Sequence, residues 1–388
     1  MDKLKLQIPN GAWDYLPDEC AAKKNIEDQI NAEFFKNGYD RIETPSFEYY
    51  EVFMHDAVPY VQENMIKFFD LQGRILALRP DITGPIARMA ATKLLAKQDV
   101  LRLCYTGNAY GFLNSGISGK TEFTQAGVEL IGKSGADADA EVIALAIQSL
   151  LCVGVADFKI DIGQVAFFKG LMSELDITDT QADKIRQLID TKNNVELEYE
   201  LSRTTIDAQT KSTLLELGNL FGGVEVLGIA QNLAKNEECK NAVKNIGEVY
   251  KILCDFGYKD YISIDFGILN NFNYYSGIIF RGISDRIGTP ILSGGRYDDL
   301  LQEFGASAAA TGFAMGIKEL LIVLEKQGAL KINNEKITVI KCTQNERERA
   351  YQAAQKLRNS GKRVVIEMNG NDYDCMRYDV CFLEDEVK

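Results

Sequence analysis

The stretch TEFTQAGVELIG, residues 121–132, constrains the fold of this chain more than any other. Read as a strand, in which successive side chains point to opposite faces, this stretch places Gln125, Gly127 and Glu129 together on one face. We expect Gly127 to leave room for a ligand against the backbone, between the amide and the carboxylate. A half-exposed strand with solvated polar residues is the alternative. The opposite face, which suits packing beneath a helix, consists of Thr124, Ala126, Val128 and Leu130.

Patterns on either side of this stretch predict an α+β protein. VLRLCYTG, residues 100–107, predicts an adjacent antiparallel strand, and the apolar stretch 141–153 predicts a helix packed on that sheet. Residues 22–38 predict another helix with Gly38 as its C-terminal cap, because apolar residues recur every four positions. We therefore expect an antiparallel sheet with flanking helices.

Two further regions differ in character from this sheet. Helical patterns dominate from about residue 163 to residue 258 and predict a helical insertion. After the polar linker ALKINNEK, the last unit of about 55 residues shows a strand, a helix, a strand and a weak ending. We expect residues 335–388 to form a small C-terminal α/β domain.

Composition excludes several classes of function. The net charge of −13 and the pI of about 4.8 argue against the broad basic face that nucleic-acid binding needs. With eight cysteines, no CxxC and one histidine, a zinc site is not expected. That histidine, His55, has no nucleophile motif near it, so we assign it a structural or surface role. Scattered cysteines suit a reducing cytoplasm, and the longest apolar run is too short and too polar to span a membrane.

Three other motifs place polar groups where a pocket could form. LRPDIT puts Asp81 and Thr83 after a proline turn, a position that also suits helix caps. NYYSG adds aromatic residues to a second predicted strand, on which Tyr275 shares a face with Gly277. SGGRYDDL, residues 293–300, has two glycines that permit close backbone approach, but it matches neither GxxxxGK[ST] nor GxGxxG.

These stretches, in this order, resemble the catalytic core of histidyl-tRNA synthetases. LRPDIT, FTQAGVELIG, NYYSG and SGGRYDDL with GFAMGIKEL match the family's ordered motifs, and GYDRIETPSFEYYEVF matches its first, dimer-forming class II motif. The resemblance covers roughly residues 8–325. It implies a class II aminoacyl-tRNA synthetase-like antiparallel sheet of six or seven strands, a core domain over residues 1–325 and a homodimer through that core.

The resemblance also implies a binding site for histidine. Position by position, six residues match the family's amino-acid pocket. Carboxylates there pair with the ammonium group and accept from an imidazole N–H, while tyrosine hydroxyls donate or accept. The histidine-binding residues implied are Asp81, Thr83, Gln125, Glu129, Tyr275 and Tyr297.

The phosphate-binding arginines of the family are missing. Their positions fall on Gly111, Asn270 and Glu319, the last a reversal of charge. Losing one preorganised donor typically costs about 10²–10³ in rate, so we expect no adenylation and no catalytic residue. Lys318 is a poor substitute because it lies about 100° round the helix from Glu319. No cofactor or metal is expected.

A kept amino-acid pocket without the arginines resembles the family of ATP phosphoribosyltransferase regulatory subunits. That resemblance implies a short-form catalytic subunit as partner, a hetero-octamer and L-histidine as the feedback effector of the first step of histidine biosynthesis. It implies neither tRNA nor membrane as a partner. A divergent histidyl-tRNA synthetase and another amino-acid- or RNA-binding paralogue are the alternatives. Histidine binding at a subunit interface also stays open.

Overall fold

The structure is a computed structural model that describes residues 3–54, 64–113, 120–173, 175–269, 274–330, 336–368 and 378–382. His55 and Asn270, both named above, lie outside the described residues. The chain divides into two compact units, one of Met1–Leu16 with Lys23–Leu330 and one of Pro17–Ala22 with Lys331–Lys388. The predicted domains, residues 1–325 and 335–388, stay a prediction.

The first helix of the chain, α1, has the apolar stripe that its sequence predicts. It spans Pro17–Lys36, and Ile26, Ile30 and Phe34 are fully or almost fully buried. The chain leaves the helix at Gly38, whose φ of +80° lies in the left-handed region that glycine adopts without strain. Tyr39 N donates to Phe34 O at 3.1 Å across this turn, which confirms Gly38 as the C-terminal cap.

In the part of the chain that the structure describes, a nine-stranded sheet forms the centre of the larger unit. Across the sheet the strands are β1 (Asp40–Arg41), β5 (Leu101–Leu113), β6 (Lys120–Ile131), β12 (Ala310–Gly316), β11 (Leu292–Arg296), β10 (Ile278–Ile283), β7 (Lys159–Gln164), β9 (Ile262–Asp265) and β8 (Phe221–Gly222). The α+β class and the antiparallel pairing of β5 with β6 are confirmed.

The predicted strand number and uniform direction of that sheet are wrong. The run from β5 to β7 is antiparallel, but β1 pairs parallel with β5, and β7 pairs parallel with β9. A parallel pair needs a long crossover connection, and the helical region between β7 and β9 supplies one. Strands of two residues, such as β1 and β8, carry no readable alternation.

Helices cover the sheet and fill the predicted insertion. Helix α2 (Thr83–Met89), which continues into a π-helical turn, follows the proline turn, and α3 (Ala136–Cys152) and α10 (Ile317–Gln327) also belong to this unit. Between β7 and β9 come α4 (Val165–Met172), α5 (Asp179–Asp190), α6 (Asn194–Ser202), α7 (Ala208–Leu217), α8 (Glu225–Leu233) and α9 (Glu237–Asp255).

Strand β6 separates the core from the polar side of the sheet, as its alternation predicts. Ala126, Val128 and Leu130 are fully buried and share one apolar cluster with Val142 and Ile147 of α3. The other face of β6 is therefore the one available to a pocket. None of the helices in the described part of the chain is long and apolar enough to cross a bilayer.

A small antiparallel sheet leads into α2. It is formed by β2 (Phe47–Tyr49), β4 (Ile75–Leu78) and β3 (Lys67–Phe69) in that order. The smaller unit has a parallel sheet of β14 (Val364–Met368), β13 (Ile337–Cys342) and β15 (Tyr378–Phe382) with α11 (Arg347–Asn359). β15 corresponds to the stretch in which the sequence shows only a weak ending.

Candidate functional site

One cavity of about 180 Å³ opens on the polar face of the main sheet. All six residues predicted for histidine binding line it: Asp81, Thr83, Gln125, Glu129, Tyr275 and Tyr297. Sequence reasoning did not single out five of its other lining residues, Tyr274, Ser293, Gly312, Phe313 and Ala314, although all five lie within the motifs quoted above. Gly294, noted for close backbone approach, also lines it.

Several chain segments bring the site together. Gln125 and Glu129 project from β6, and Asp81 and Thr83 lie where the chain passes from β4 into α2. Tyr297 follows the last residue of β11 directly. The prediction that Tyr275 lies on a strand is wrong, because β10 begins only at Ile278. An irregular segment carries this residue, and the strand alternation that paired it with Gly277 does not apply.

Glu129 is the centre of the site. It is 1% exposed, Thr83 Oγ1 donates to its Oε1 at 2.8 Å, and the hydroxyl of Tyr297 donates to its Oε2. Burial raises the pKa of Glu129 to about 8, against the lowering effect of the Tyr297 and Thr83 hydrogen bonds, and the charge of Asp81 raises it further. Near neutral pH this carboxyl can therefore either donate or accept a hydrogen bond.

Asp81 both accepts a hydrogen bond from the backbone of α2 and lines the cavity. Its Oδ1 accepts from Gly84 N at 2.9 Å and so pairs a backbone donor in the first turn of α2, although the N-cap position itself is held by Ile82. Its side chain also lines the cavity, so the two interpretations of LRPDIT are compatible. Among its described lining residues the cavity thus has two carboxyl groups, those of Asp81 and Glu129.

Gln125 presents an unused acceptor. Its Oε1 is buried and has no hydrogen-bond partner in the part of the chain that the structure describes. A buried acceptor left unpaired costs about 1–3 kcal/mol. Because Gln125 lines the cavity, a ligand with an ammonium or an N–H group would satisfy it.

Three tyrosine rings form one wall of the cavity. The ring centroid of Tyr274 lies 5.5 Å from that of Tyr297 and 5.1 Å from that of Tyr275. A Cβ built on Gly295 would lie 2.8 Å from Tyr275 Cδ1, so this glycine allows the ring to pack on β11. These rings suit the flat face of an aromatic ligand.

The expected space above Gly127 is filled by the protein itself. A Cβ built there would lie 2.6 Å from the hydroxyl oxygen of Tyr105 and 2.3 Å from Phe313 O. The prediction that a ligand lies against Gly127 is therefore wrong, because Tyr105 crosses from β5 and takes that room. Gly312 is the glycine that makes room in the cavity, since a Cβ built on it would lie 2.0 Å from Glu129 Oε2.

The cavity has no cation for a phosphate among its described lining residues. Gly111, one predicted arginine position, is buried on β5. Glu319, another, is 6% exposed in the first turn of α10, and a Cβ built on Gly316 would lie 1.8 Å from its Oε2. The carboxylate thus covers the helix N-terminus, where a phosphate could otherwise bind. Lys318 Nζ lies 3.5 Å from the ring centroid of Trp13.

Comparison with known proteins identifies the family. Residues 11–320 match the family model described as histidyl-tRNA synthetase. The ATP phosphoribosyltransferase regulatory subunit of Acetivibrio thermocellus is 43% identical over 378 residues, 97% of this chain and 90% of the relative. The chain belongs to the family of ATP phosphoribosyltransferase regulatory subunits. Membership of this family, expected from the kept pocket and the missing arginines, is confirmed.

Solved structures agree with this family and with the synthetase-like fold. The structure described as an ATP phosphoribosyltransferase regulatory subunit/histidyl-tRNA synthetase from Bacillus halodurans has a TM-score of 0.86 and 36% identity, and covers 97% of each chain. The histidine–tRNA ligase subunit of Alicyclobacillus acidocaldarius has a TM-score of 0.72 and 26% identity, covering 83% of this chain and 98% of that one. The regulatory-subunit family therefore keeps the synthetase architecture.

Proposed function

We propose that this chain is the non-catalytic regulatory subunit that short-form ATP phosphoribosyltransferase requires, and that it binds L-histidine in the cavity around Glu129. The bound effector favours a less active arrangement of the complex. Such couplings between two sites are usually about 1–3 kcal/mol and are reciprocal, so the substrates of the catalytic subunit weaken histidine binding.

One observation carries the proposal: the cavity has kept its acidic and aromatic groups, and its described lining contains no lysine or arginine. Asp81 and Glu129 suit an ammonium group, and the free Oε1 of Gln125 suits a further N–H donor. Nothing among these lining residues favours the phosphates of ATP. A small cationic or zwitterionic ligand fits this chemistry better than a nucleotide does.

The proposed assembly has two levels. A homodimer through the synthetase-like core associates with the catalytic subunit in a hetero-octamer, and the names of the relatives support that partner. The native mass of the complex, with and without histidine, tests this stoichiometry. tRNA is not a proposed ligand, given the net charge of −13. The cysteines that the structure describes are all free thiols, which supports a cytoplasmic location.

Inhibition of the reconstituted enzyme by histidine tests the proposal. We expect Glu129→Gln to raise the histidine concentration for half inhibition by about tenfold or more, since the amide NH2 can only donate where a carboxyl oxygen accepts, and a buried polar group left unpaired costs about 1–3 kcal/mol. Glu141→Gln is the control, because Glu141 pairs with Arg102 and is not a lining residue of this cavity. If both variants had the same histidine concentration for half inhibition, the histidine site would lie elsewhere, for example at a subunit interface.

A further inference from the structure

A buried ion pair lies behind the tyrosine wall of the cavity. Arg296, the last residue of β11, is 7% exposed, and Asp139, in the first turn of α3, is 1% exposed. Arg296 Nη2 lies 2.8 Å from Asp139 Oδ1, and Arg296 Nε donates to Asp139 Oδ2 at 3.2 Å. Neither side chain lines the cavity. The pair fixes the end of β11, immediately before Tyr297.

Ser276 ties the segment that carries the other two tyrosines to the same strand end. Ser276 N donates to Arg296 O at 2.8 Å, and Ser276 Oγ accepts from Asp298 N at 3.0 Å. Arg296 Nη1 in turn donates to Asp298 Oδ1 at 3.0 Å. The segment is therefore bonded to residues 296 and 298, on both sides of Tyr297.

The aliphatic part of Arg296 also contacts this segment. A Cβ built on Gly277 would lie 3.2 Å from Arg296 Cδ, so the absence of a side chain at Gly277 lets the arginine pass beneath it. A displacement of Arg296 therefore displaces Tyr297, the next residue in the chain. It also displaces Tyr274 and Tyr275, because Ser276 is hydrogen-bonded to Arg296.

We propose that Arg296, together with Asp139 and Ser276, is a positioning residue that sets the tyrosine wall of the histidine pocket. The inference rests on the proposed function, since it concerns how that pocket recognises its ligand. Arg296 acts on histidine through Tyr297, whose hydroxyl donates to Glu129. The pair therefore affects ligand affinity without touching the ligand.

The same sheet offers a matched control. Arg281 of β10 pairs with Asp265, which is 1% exposed, at an Nη2–Oδ2 distance of 3.2 Å. It likewise forms an arginine–aspartate pair on the main sheet, but Arg281 does not line the cavity, and its ion-pair partners in the described part of the chain, Asp265 and Asp161, both lie outside residues 274–276. Because Arg281 is more exposed than Arg296, Arg281→Lys should disturb the fold somewhat less, and it should leave Tyr297 undisturbed.

The experiment is a double-mutant cycle on histidine affinity, measured by calorimetry. We expect Arg296→Lys to raise the Kd of histidine about tenfold in the wild-type background and less than about twofold in a Tyr297→Phe background, since residues in one network are not additive. Arg281→Lys should leave the Kd unchanged in both backgrounds while lowering the melting temperature. Loss of affinity that is independent of Tyr297 would reduce Arg296 to a general structural role and overturn the inference.

Two further variants keep the test decisive. Ser276→Ala removes only the hydroxyl that accepts from Asp298 N, and we expect it to weaken histidine binding. This variant tests the positioning role even if Arg296→Lys fails to fold. Unchanged affinity in folded Ser276→Ala would refute the positioning role. If Glu129→Gln weakens binding and neither Arg296→Lys nor Ser276→Ala does, only the positioning role fails. If Glu129→Gln has no effect, the proposed function fails with it.

Discussion

Tyr297 donates its hydroxyl hydrogen bond to Glu129, so a residue just after β11 and a residue of β6 meet inside the cavity. The other oxygen of Glu129 accepts from Thr83 at 2.8 Å. This carboxyl group is held from both sides, is almost fully buried, and faces a cavity without a described cation. Its protonation is therefore linked both to the stability of the fold and to ligand binding.

The stability of the free protein should depend on pH through Glu129. Because its pKa is raised from 4.5 to about 8, the native state holds a proton that the unfolded state releases between those values. The free energy of unfolding then falls as pH rises through this window, by up to about 1.4 kcal/mol per pH unit from this group. Below pH 4.5 the contribution is fully present, and above about 8 it is lost.

Urea unfolding of wild type and Glu129→Gln at several pH values in that window measures this effect. The amide cannot titrate, so the variant should lack this part of the pH dependence. Its stability relative to wild type should rise as the pH increases. Parallel pH profiles for the two proteins would show that Glu129 ionises normally in the fold.

Gly312 should tolerate no side chain. A Cβ at this position would lie 2.0 Å from Glu129 Oε2 and 2.4 Å from Val128 O. We expect Gly312→Ala to abolish measurable histidine binding and to cost about 1–3 kcal/mol of stability through overpacking. Calorimetry and urea unfolding measure the two effects.

Gly228 provides the matched control for that substitution. It lies in α8, and a Cβ built on it meets nothing within 4 Å. Gly228→Ala should stabilise the protein by about 0.5–1 kcal/mol and leave histidine affinity unchanged. If Gly312→Ala behaved like Gly228→Ala, the close contact between Gly312 and Glu129 would be disproved.

Glu319 should stabilise the helix whose N-terminus it covers. A negative charge in the first turn interacts favourably with the helix dipole, so Glu319→Gln should cost about 0.3–1 kcal/mol, measured by urea unfolding at low ionic strength. Glu325, exposed near the other end of α10, is the control: Glu325→Gln should be neutral or slightly stabilising. Equal effects at both ends would contradict the assigned role of Glu319.

The local part of this site could be predicted from the sequence, because strand alternation is a local property. It places Gln125 and Glu129 on the side of β6 opposite Val128, and the structure confirms that arrangement. The meeting of Asp81 and Tyr297 with these residues depends on pairing between distant segments. Only the resemblance to the synthetase family predicted that meeting.

Other features had no local signal. Which neighbour fills the space above a glycine depends on the adjacent strands, so the strand pattern alone predicts a ligand at Gly127, although Tyr105 occupies that space. For the same reason the sequence does not show that Gly312 makes room for the side chain of Glu129. Two-residue strands such as β1 and β8 are too short to show alternation, and this is why the sheet has more strands than predicted.

We propose that this fold has a binding site for an amino acid and none for a nucleoside triphosphate. The most direct measurement is a calorimetric titration of L-histidine into the isolated protein, with and without magnesium-ATP. We predict saturable binding with the same Kd in both titrations and no pyrophosphate release. Failure of histidine to bind, or continuous heat with formation of pyrophosphate when ATP is present, would contradict the account.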